Sequence, residues 1–357
     1  MSRKVETTIL KVDPKKIDTK KIRTAAKAIQ EGKLVAFPTE TVYGLGANAL
    51  EEEAVSRIFE AKGRPADNPL IVHIAEEDSV NILAKHVPEN AGKLMDKFWP
   101  GPMTLIMPKS DLVPGVTTAN LDTVAIRMPS HPVARALIKE ANLPIAAPSA
   151  NLSGRPSPTS AKHVLDDLSG RIEVVIDGGK TGYGVESTVI SLSESIPTVL
   201  RPGPLPVEEL SKILGEVKIS SIAKAETPEE ISEAKSPGMK HEHYSPKSEV
   251  LVVEGTPPKR VTSKIQEMAT KYDREEKKVG ILATEETAEK YEVGTVKVVG
   301  KRRKPETVAE NLFRILREFD DEGIDIILAE GLETAGIGLA IMNRLRKAAG
   351  YRILRTN

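Results

Sequence analysis

The sequence predicts an α/β protein in two parts, a mixed sheet with helices followed by a smaller, Rossmann-like parallel sheet. Three observations carry this reading. Short apolar runs alternate with helical stretches from residue 20 to about 205, a polar, proline-bounded tract fills 206 to 246, and the alternation then resumes. At 357 residues the chain also exceeds what one hydrophobic core usually supports.

In the first part, "LVAFPT", "PLIVHIA", "MTLIMP", "TVAIRMP", "LPIAAPSA", "EVVIDGG", "STVISL" and "TVLRPG" read as strands. Helices are expected at 20–31, 52–61, 88–98, 131–141 and 160–168. The strands between 172 and 201 have no helix among them, which predicts antiparallel pairs and hence a mixed sheet. After a short helix, "AKAETPEEISEAKSPGMKHEHYSP" reads as a linker. Beyond it, "EVLVVEG", "KVGILAT", "TVKVVG" and "IDIILAE" alternate with helices near 258–272, 306–320 and 338–348, the rhythm of a doubly wound sheet. The expected domains are therefore 15–205 and 247–357, joined by 206–246.

Composition narrows the function. Lys and Arg total 51 and Asp and Glu total 51, so the chain is not built to grip a polyanion over its whole surface, although a local basic pocket is compatible. Cysteine is absent, which removes disulfides, thiolate zinc sites and cysteine nucleophiles. No apolar run approaches a membrane span, and the charged N-terminus lacks the core of a secretory signal, so a cytoplasmic location is expected.

Chemistry gathers in a few segments. In "KGRPADNPLIVH", residues 62–73, Pro65 and Pro69 oppose a helix, which places Lys62 and Arg64 on a stiff loop leading into a buried strand. Cations held in advance lose less entropy on meeting an anion; a solvated surface loop is the plain alternative. "FPTETVYGLG", residues 37–46, runs a strand into Thr39, Thr41 and Tyr43 and then a glycine-bearing turn, where open α/β sheets put ligands. An ordinary β-turn would explain it as well. "IAAPSANLSGRPSPTS", residues 145–160, sets Ser149, Asn151, Ser153, Arg155 and Ser157 after an apolar strand, a composition suited to phosphate and ribose or to capping the next helix. Arg127 in "VAIRMP" and Ser187 in "VESTV" again place one polar residue at a strand edge. Together these segments bind anions and align reactants, with no evident carboxylate pair, Ser-His-Asp set or metal cluster.

"FPTETVYGLG", "KGRPADNPLIVH", "PSANLSGRPSPT" and "VESTV" resemble the YrdC-like family, and "SPGMKHEHYSP" with "GIGLAIMNRLRKAA" resembles its long two-domain form. The likeness runs from about residue 20 to the end. It implies a twisted mixed sheet with a concave pocket, and L-threonylcarbamoyladenylate synthase activity. ATP, L-threonine and bicarbonate are the substrates, pyrophosphate and water are released, and Mg²⁺ accompanies the nucleotide. The product serves threonylcarbamoyladenosine modification of ANN-decoding tRNAs, transferred by a separate complex, so tRNA is met at most indirectly.

Carried over residue by residue, the resemblance assigns Lys62 and Arg64 to the ATP phosphates as the catalytic cations, and Ser149 and Asn151 to the nucleotide, joined by Asn68 and Ser157. Thr123, Arg201 and Tyr244 are further nucleotide or pocket-wall contacts. Thr41, His73, Arg127, Ser187 and the backbone of Ala147 fall at the threonine end, with the Arg127 fork suited to a carboxylate. The general base is not assigned, and no resident metal is expected.

The His241, Glu242, His243 cluster lacks a coordination set, and by resemblance its loop folds over the first domain's pocket. Truncation before residue 236 is expected to reduce adenylate synthesis sharply. "GLETAGIGLA", residues 331–340, is read as tight helix-to-sheet packing in preference to a second nucleotide site. The rival function is an RNA-binding module without catalysis. With aromatic content of 3%, the chain offers it little stacking surface.

Overall fold

The computed structural model describes residues 5–227 and 244–356. His241, Glu242 and His243 lie outside them. Contacts divide the described chain into two units. One holds the residues up to Ser153 together with Ser157–Ser220; the other holds Gly154–Pro156, residues 221–227 and those from 244 onward. The first unit thus extends past 205, because helix Val207–Leu214 buries Leu210 in its core.

The first unit is built on an 11-stranded mixed sheet. Its strands lie in the order Thr8–Lys11, Val174–Asp177, Val35–Pro38, Tyr43–Asn48, Ile145–Ala146, Ile71–His73, Thr123–Arg127, Met103–Pro108, Thr188–Ser191, Thr198–Arg201 and Lys218–Ile219. Of the helix-free run expected to form antiparallel pairs, Thr188–Ser191 and Thr198–Arg201 do so. Val174–Asp177 does not. It runs parallel to both Thr8–Lys11 and Val35–Pro38, since residues 178–187 carry the chain across the sheet and not back along its own edge.

Helices Thr19–Gln30, Glu52–Lys62, Glu89–Phe98, Pro132–Ala141 and Ala161–Leu168 stand where apolar periodicity predicts them. Thr19–Gln30 begins on Asp18, whose carboxylate accepts from the Lys20 and Lys21 N–H groups, and it buries Ile22, Ala25, Ala26 and Ile29. That stripe and helix Pro132–Ala141 cover one sheet face with Val35, Phe37, Ile145 and Ala147. On the opposite face Leu45, Val72, Leu105 and Ile126 pack with Val55, Ile58 and Leu94.

One local expectation is overturned. Val35–Pro38 and Tyr43–Asn48 form an antiparallel hairpin whose turn is Thr39–Val42, so Gly44 and Gly46 stand inside a strand instead of a turn. Packing is the reason. A Cβ on Gly46 would lie 2.7 Å from Ile145 Cγ2 and 2.8 Å from Phe37 Cε1, so only glycine lets the Phe37 ring lie across the strand.

The second unit has a five-stranded sheet in the order Thr295–Gly300, Val279–Thr284, Ile326–Glu330, Glu249–Gly255, Ile353–Thr356. Every pair is parallel, as the strand and helix rhythm predicts. Numbered along the chain the order is 3-2-4-1-5, which differs from the 3-2-1-4-5-6 order of the dinucleotide-binding fold. The last strand was not among those read from sequence. No helix among the described residues is long and apolar enough to cross a membrane.

Candidate active site

The sequence placed both Lys62 and Arg64 on a loop, but Lys62 is the last residue of helix Glu52–Lys62. Gly63, at φ 60°, closes that helix, and Pro65 follows where the helix cannot continue. The buried Lys62 Nζ donates to Ser149 O at 2.5 Å and Asn151 O at 2.6 Å. Those carbonyls are fixed because Ala150 N donates to Tyr43 O, and Ser153 N returns to Lys62 O. The Ser149 hydroxyl donates to Asn151 Oδ1 at 2.5 Å.

Arg64 does stand on the loop. It is nearly buried, its guanidinium lies 5.8 Å from the Phe59 ring centroid, and its Nη2 donates to Asn68 O at 3.2 Å. The Asn68 side chain is fully buried, yet neither its Oδ1 nor its Nδ2 has a hydrogen-bond partner among the described residues. Leaving such groups unsatisfied costs about 1–3 kcal/mol each, so a built protein seldom does so without a ligand or water to complete them.

Another cluster occupies one sheet face. His73 and Arg127 are register partners on parallel strands and therefore share a face, the one onto which the Phe37 ring packs edge-on against His73. Arg127 Nη2 donates to Glu40 Oε1 at 2.7 Å and its Nε to Gly101 O at 3.3 Å. The second Glu40 oxygen, buried like the first, is unpartnered among the described residues. His73 Nδ1 is unpartnered in the same sense, and burial, reinforced by the Arg127 charge, pulls the imidazole down to about 3. It is a neutral ring at physiological pH.

Beside this cluster Ser187 Oγ meets Thr104 Oγ1 at 2.8 Å, while Arg201 grips Ser187 through Nε to its carbonyl and Nη2 to its hydroxyl, both at 3.0 Å. Thr41 is fully buried and shares a 2.8 Å hydroxyl contact with Thr39. Ser157 Oγ donates to Glu186 Oε1. Ala147 is buried, its N–H committed to Ile71 O.

The structure therefore joins Lys62, Ser149 and Asn151 in one group of contacts, Arg64 and Asn68 on the following loop in a second, and His73 and Arg127 in a third. Thr123 opens the strand that Arg127 closes, which separates them by about 13 Å along it. Tyr244 belongs to the second unit, where it stacks on Phe313 at 5.2 Å with the Arg344 guanidinium 5.6 Å from its ring. Sequence reasoning missed Glu40, Glu186 and Thr104. The two glutamates sit inside stretches already singled out, "FPTETVYGLG" and "VESTV", and a lone carboxylate among hydroxyl residues next to an apolar strand was the available signal.

The comparisons agree along nearly the whole chain. A family model of the Sua5, YciO and YrdC proteins, described as telomere recombination, matches residues 27–203, and one described as threonylcarbamoyl-AMP synthase, C-terminal domain, matches 205–350. The threonylcarbamoyl-AMP synthase of Pyrococcus abyssi is 56% identical over 340 residues, covering 95% of this chain and 97% of that protein. That of Bacillus subtilis is 50% identical, covering 94% of each. The crystal structure of P. abyssi Sua5 complexed with L-threonine superposes with a TM-score of 0.93 at 55% identity, covering 98% of this chain and all of that one. With both parts matched in order, the first by a model that spans every cluster described above, the chain belongs to the Sua5, YciO and YrdC family, in its long two-domain Sua5 form.

Proposed function

We propose that the three groups of contacts divide the work of forming L-threonylcarbamoyladenylate from L-threonine, bicarbonate and ATP with release of pyrophosphate, for threonylcarbamoyladenosine modification of tRNA. The single observation that carries the reading is the convergence of Lys62 on the Ser149 and Asn151 carbonyls. It ties a buried ammonium to the serine and asparagine turn, and the loop that follows carries the Arg64 guanidinium and the unsatisfied Asn68 amide, groups suited to a polyphosphate.

In this reading the first two groups and Ser157 hold the nucleotide within the concave pocket of the sheet. Mg²⁺ arrives on the ATP phosphates as part of the substrate. The third group holds threonine. Arg127, already braced by Glu40, presents its fork to the carboxylate, while neutral His73, Thr41 and Ser187 provide uncharged polar groups. The open oxygen of Glu40 is an acceptor for the threonine amine, a role that sequence did not suggest.

The uncharged amine nitrogen bonds to carbon dioxide and gives up a proton, or to the carbon of bicarbonate, whose C–OH bond breaks so that hydroxide leaves with the amine proton as water; either route leaves a carbamate. A carbamate oxygen then bonds to the α-phosphorus, and the bond to the pyrophosphate oxygen breaks with the electron pair leaving on pyrophosphate. Charge grows on the phosphoryl oxygens, where Lys62 and Arg64 stabilise it. RNA binding without catalysis is disfavoured, since relatives matching almost the full chain are named as synthases.

The test is incubation of the purified chain with labelled bicarbonate, threonine and ATP, followed by chromatography of the adenylate. Labelled product and pyrophosphate that require all three substrates support the proposal. RNA binding with no such turnover would refute it.

A further inference from the structure

We infer that the second unit carries its own binding site for a phosphorylated small molecule, at the carboxyl edge of its parallel sheet. The topology makes room for one. Strands Glu249–Gly255 and Ile326–Glu330 are parallel neighbours, but the first connects leftward to Val279–Thr284 and the second rightward to Ile353–Thr356. Right-handed crossovers then send helices Pro258–Arg274 and Gly338–Ala348 to opposite faces, which opens a crevice beyond the strand ends.

A cavity of about 780 Å³ occupies that position, lined by the ends of Glu249–Gly255 and Ile353–Thr356 and by the loop after Glu330. Its wall carries Arg260, Arg302, Arg346 and Arg355 against Glu254 and Glu333. Two of these arginines are committed. Arg346 is held by both Glu254 oxygens at 2.7 and 3.0 Å and by Lys224 O, and Arg302 by Glu330 Oε2 and Gly331 O. They form a rigid floor. Arg260 and Arg355 are exposed and have no ion-pair partner among the described residues, which leaves two guanidinium forks at the mouth.

The glycines of "GLETAGIGLA" do not carry this inference. A Cβ on Gly331 would lie 2.8 Å from Glu254 Cγ and one on Gly338 2.0 Å from Glu333 O, so close approach explains those two, whereas Gly336 is set by its φ of 57°. The cavity and its arginines are separate observations. Guanidinium forks favour phosphate oxygens, and the volume accepts a ligand of nucleotide size. The site uses no residue of the synthase clusters.

The experiment is calorimetric titration of the full chain carrying Arg64→Ala, which disables the first unit's phosphate cradle, with AMP and separately with inorganic pyrophosphate. Saturable binding of one equivalent is expected, weakened about tenfold or more when Arg260→Glu and Arg355→Glu are added. The added pair should leave the melting temperature unchanged and, in the otherwise native chain, adenylate synthesis too. Preference for AMP assigns a nucleotide and preference for pyrophosphate an inorganic ligand, either supporting the site. Absence of saturable binding, or binding indifferent to the charge reversal, overturns it.

Discussion

The buried Glu330 carboxylate of the second unit and the candidate site of the first differ in how their hydrogen-bonding capacity is met, although Arg302 Nε and Asp320 Oδ2 of the second unit are also buried without a partner among the described residues. In the second, Glu330 is almost wholly buried and saturated: it accepts from Thr284 N and Oγ1, Thr287 Oγ1, Tyr291 OH and Arg302 Nη2. Burial and the Glu330 charge also push the Tyr291 phenol well up, which keeps it a donor. In the first, the amide of Asn68, one oxygen of Glu40 and Nδ1 of His73 are buried with no partner among the described residues. A saturated network is scaffold, and one with open positions has chemistry left to do.

Substitutions can break this contrast. The largest effect is expected from Arg64→Ala, which should lower adenylate synthesis by about 10²–10³-fold, the scale for losing one preorganised donor to developing charge. Circular dichroism should show the fold intact. In the second unit Glu330→Ala strands Arg302 and should cost about 3–5 kcal/mol of stability by denaturant titration. The activity of the molecules that remain folded should be unchanged.

Asn68→Leu sharpens the comparison because it removes the unsatisfied groups. Unliganded stability should stay within about 1 kcal/mol of the parent or rise, while synthesis falls. A matching loss of stability would mark Asn68 as scaffold.

The effect smallest at neutral pH concerns acid. His73 titrates near 3 in the folded chain against about 6.5 when unfolded, so the unfolded state binds the extra proton between those values. Its contribution is complete above pH 6.5 and is lost as pH falls toward 3, with a slope of up to about 1.4 kcal/mol per pH unit. His73→Gln should flatten that limb by about one proton. Burial shifts His131 in the same direction, so part of the slope will remain.

Much of the architecture was legible because periodicity survives in single segments. Glu52–Lys62 and Glu89–Phe98 repeat buried residues at helical spacing, and Ile71–His73 and Val279–Thr284 are compact apolar runs. Tyr43–Asn48 was not, since its glycines are dictated by the Phe37 ring from the neighbouring strand, a contact no local pattern records. Lys62 was read as loop because Pro65 was allowed to end the helix too early. The partners of Lys62 were visible as a motif, whereas the pairing of Arg127 with Glu40 joins residues 87 positions apart and emerges only when the sheet forms.

The most direct measurement is a crystal structure of this protein with ATP and L-threonine. Asn68, His73 Nδ1 and the open Glu40 oxygen are predicted to lie about 2.7–3.2 Å from ligand atoms. Substrates bound elsewhere, with those three atoms satisfied by water or protein instead, would contradict the account.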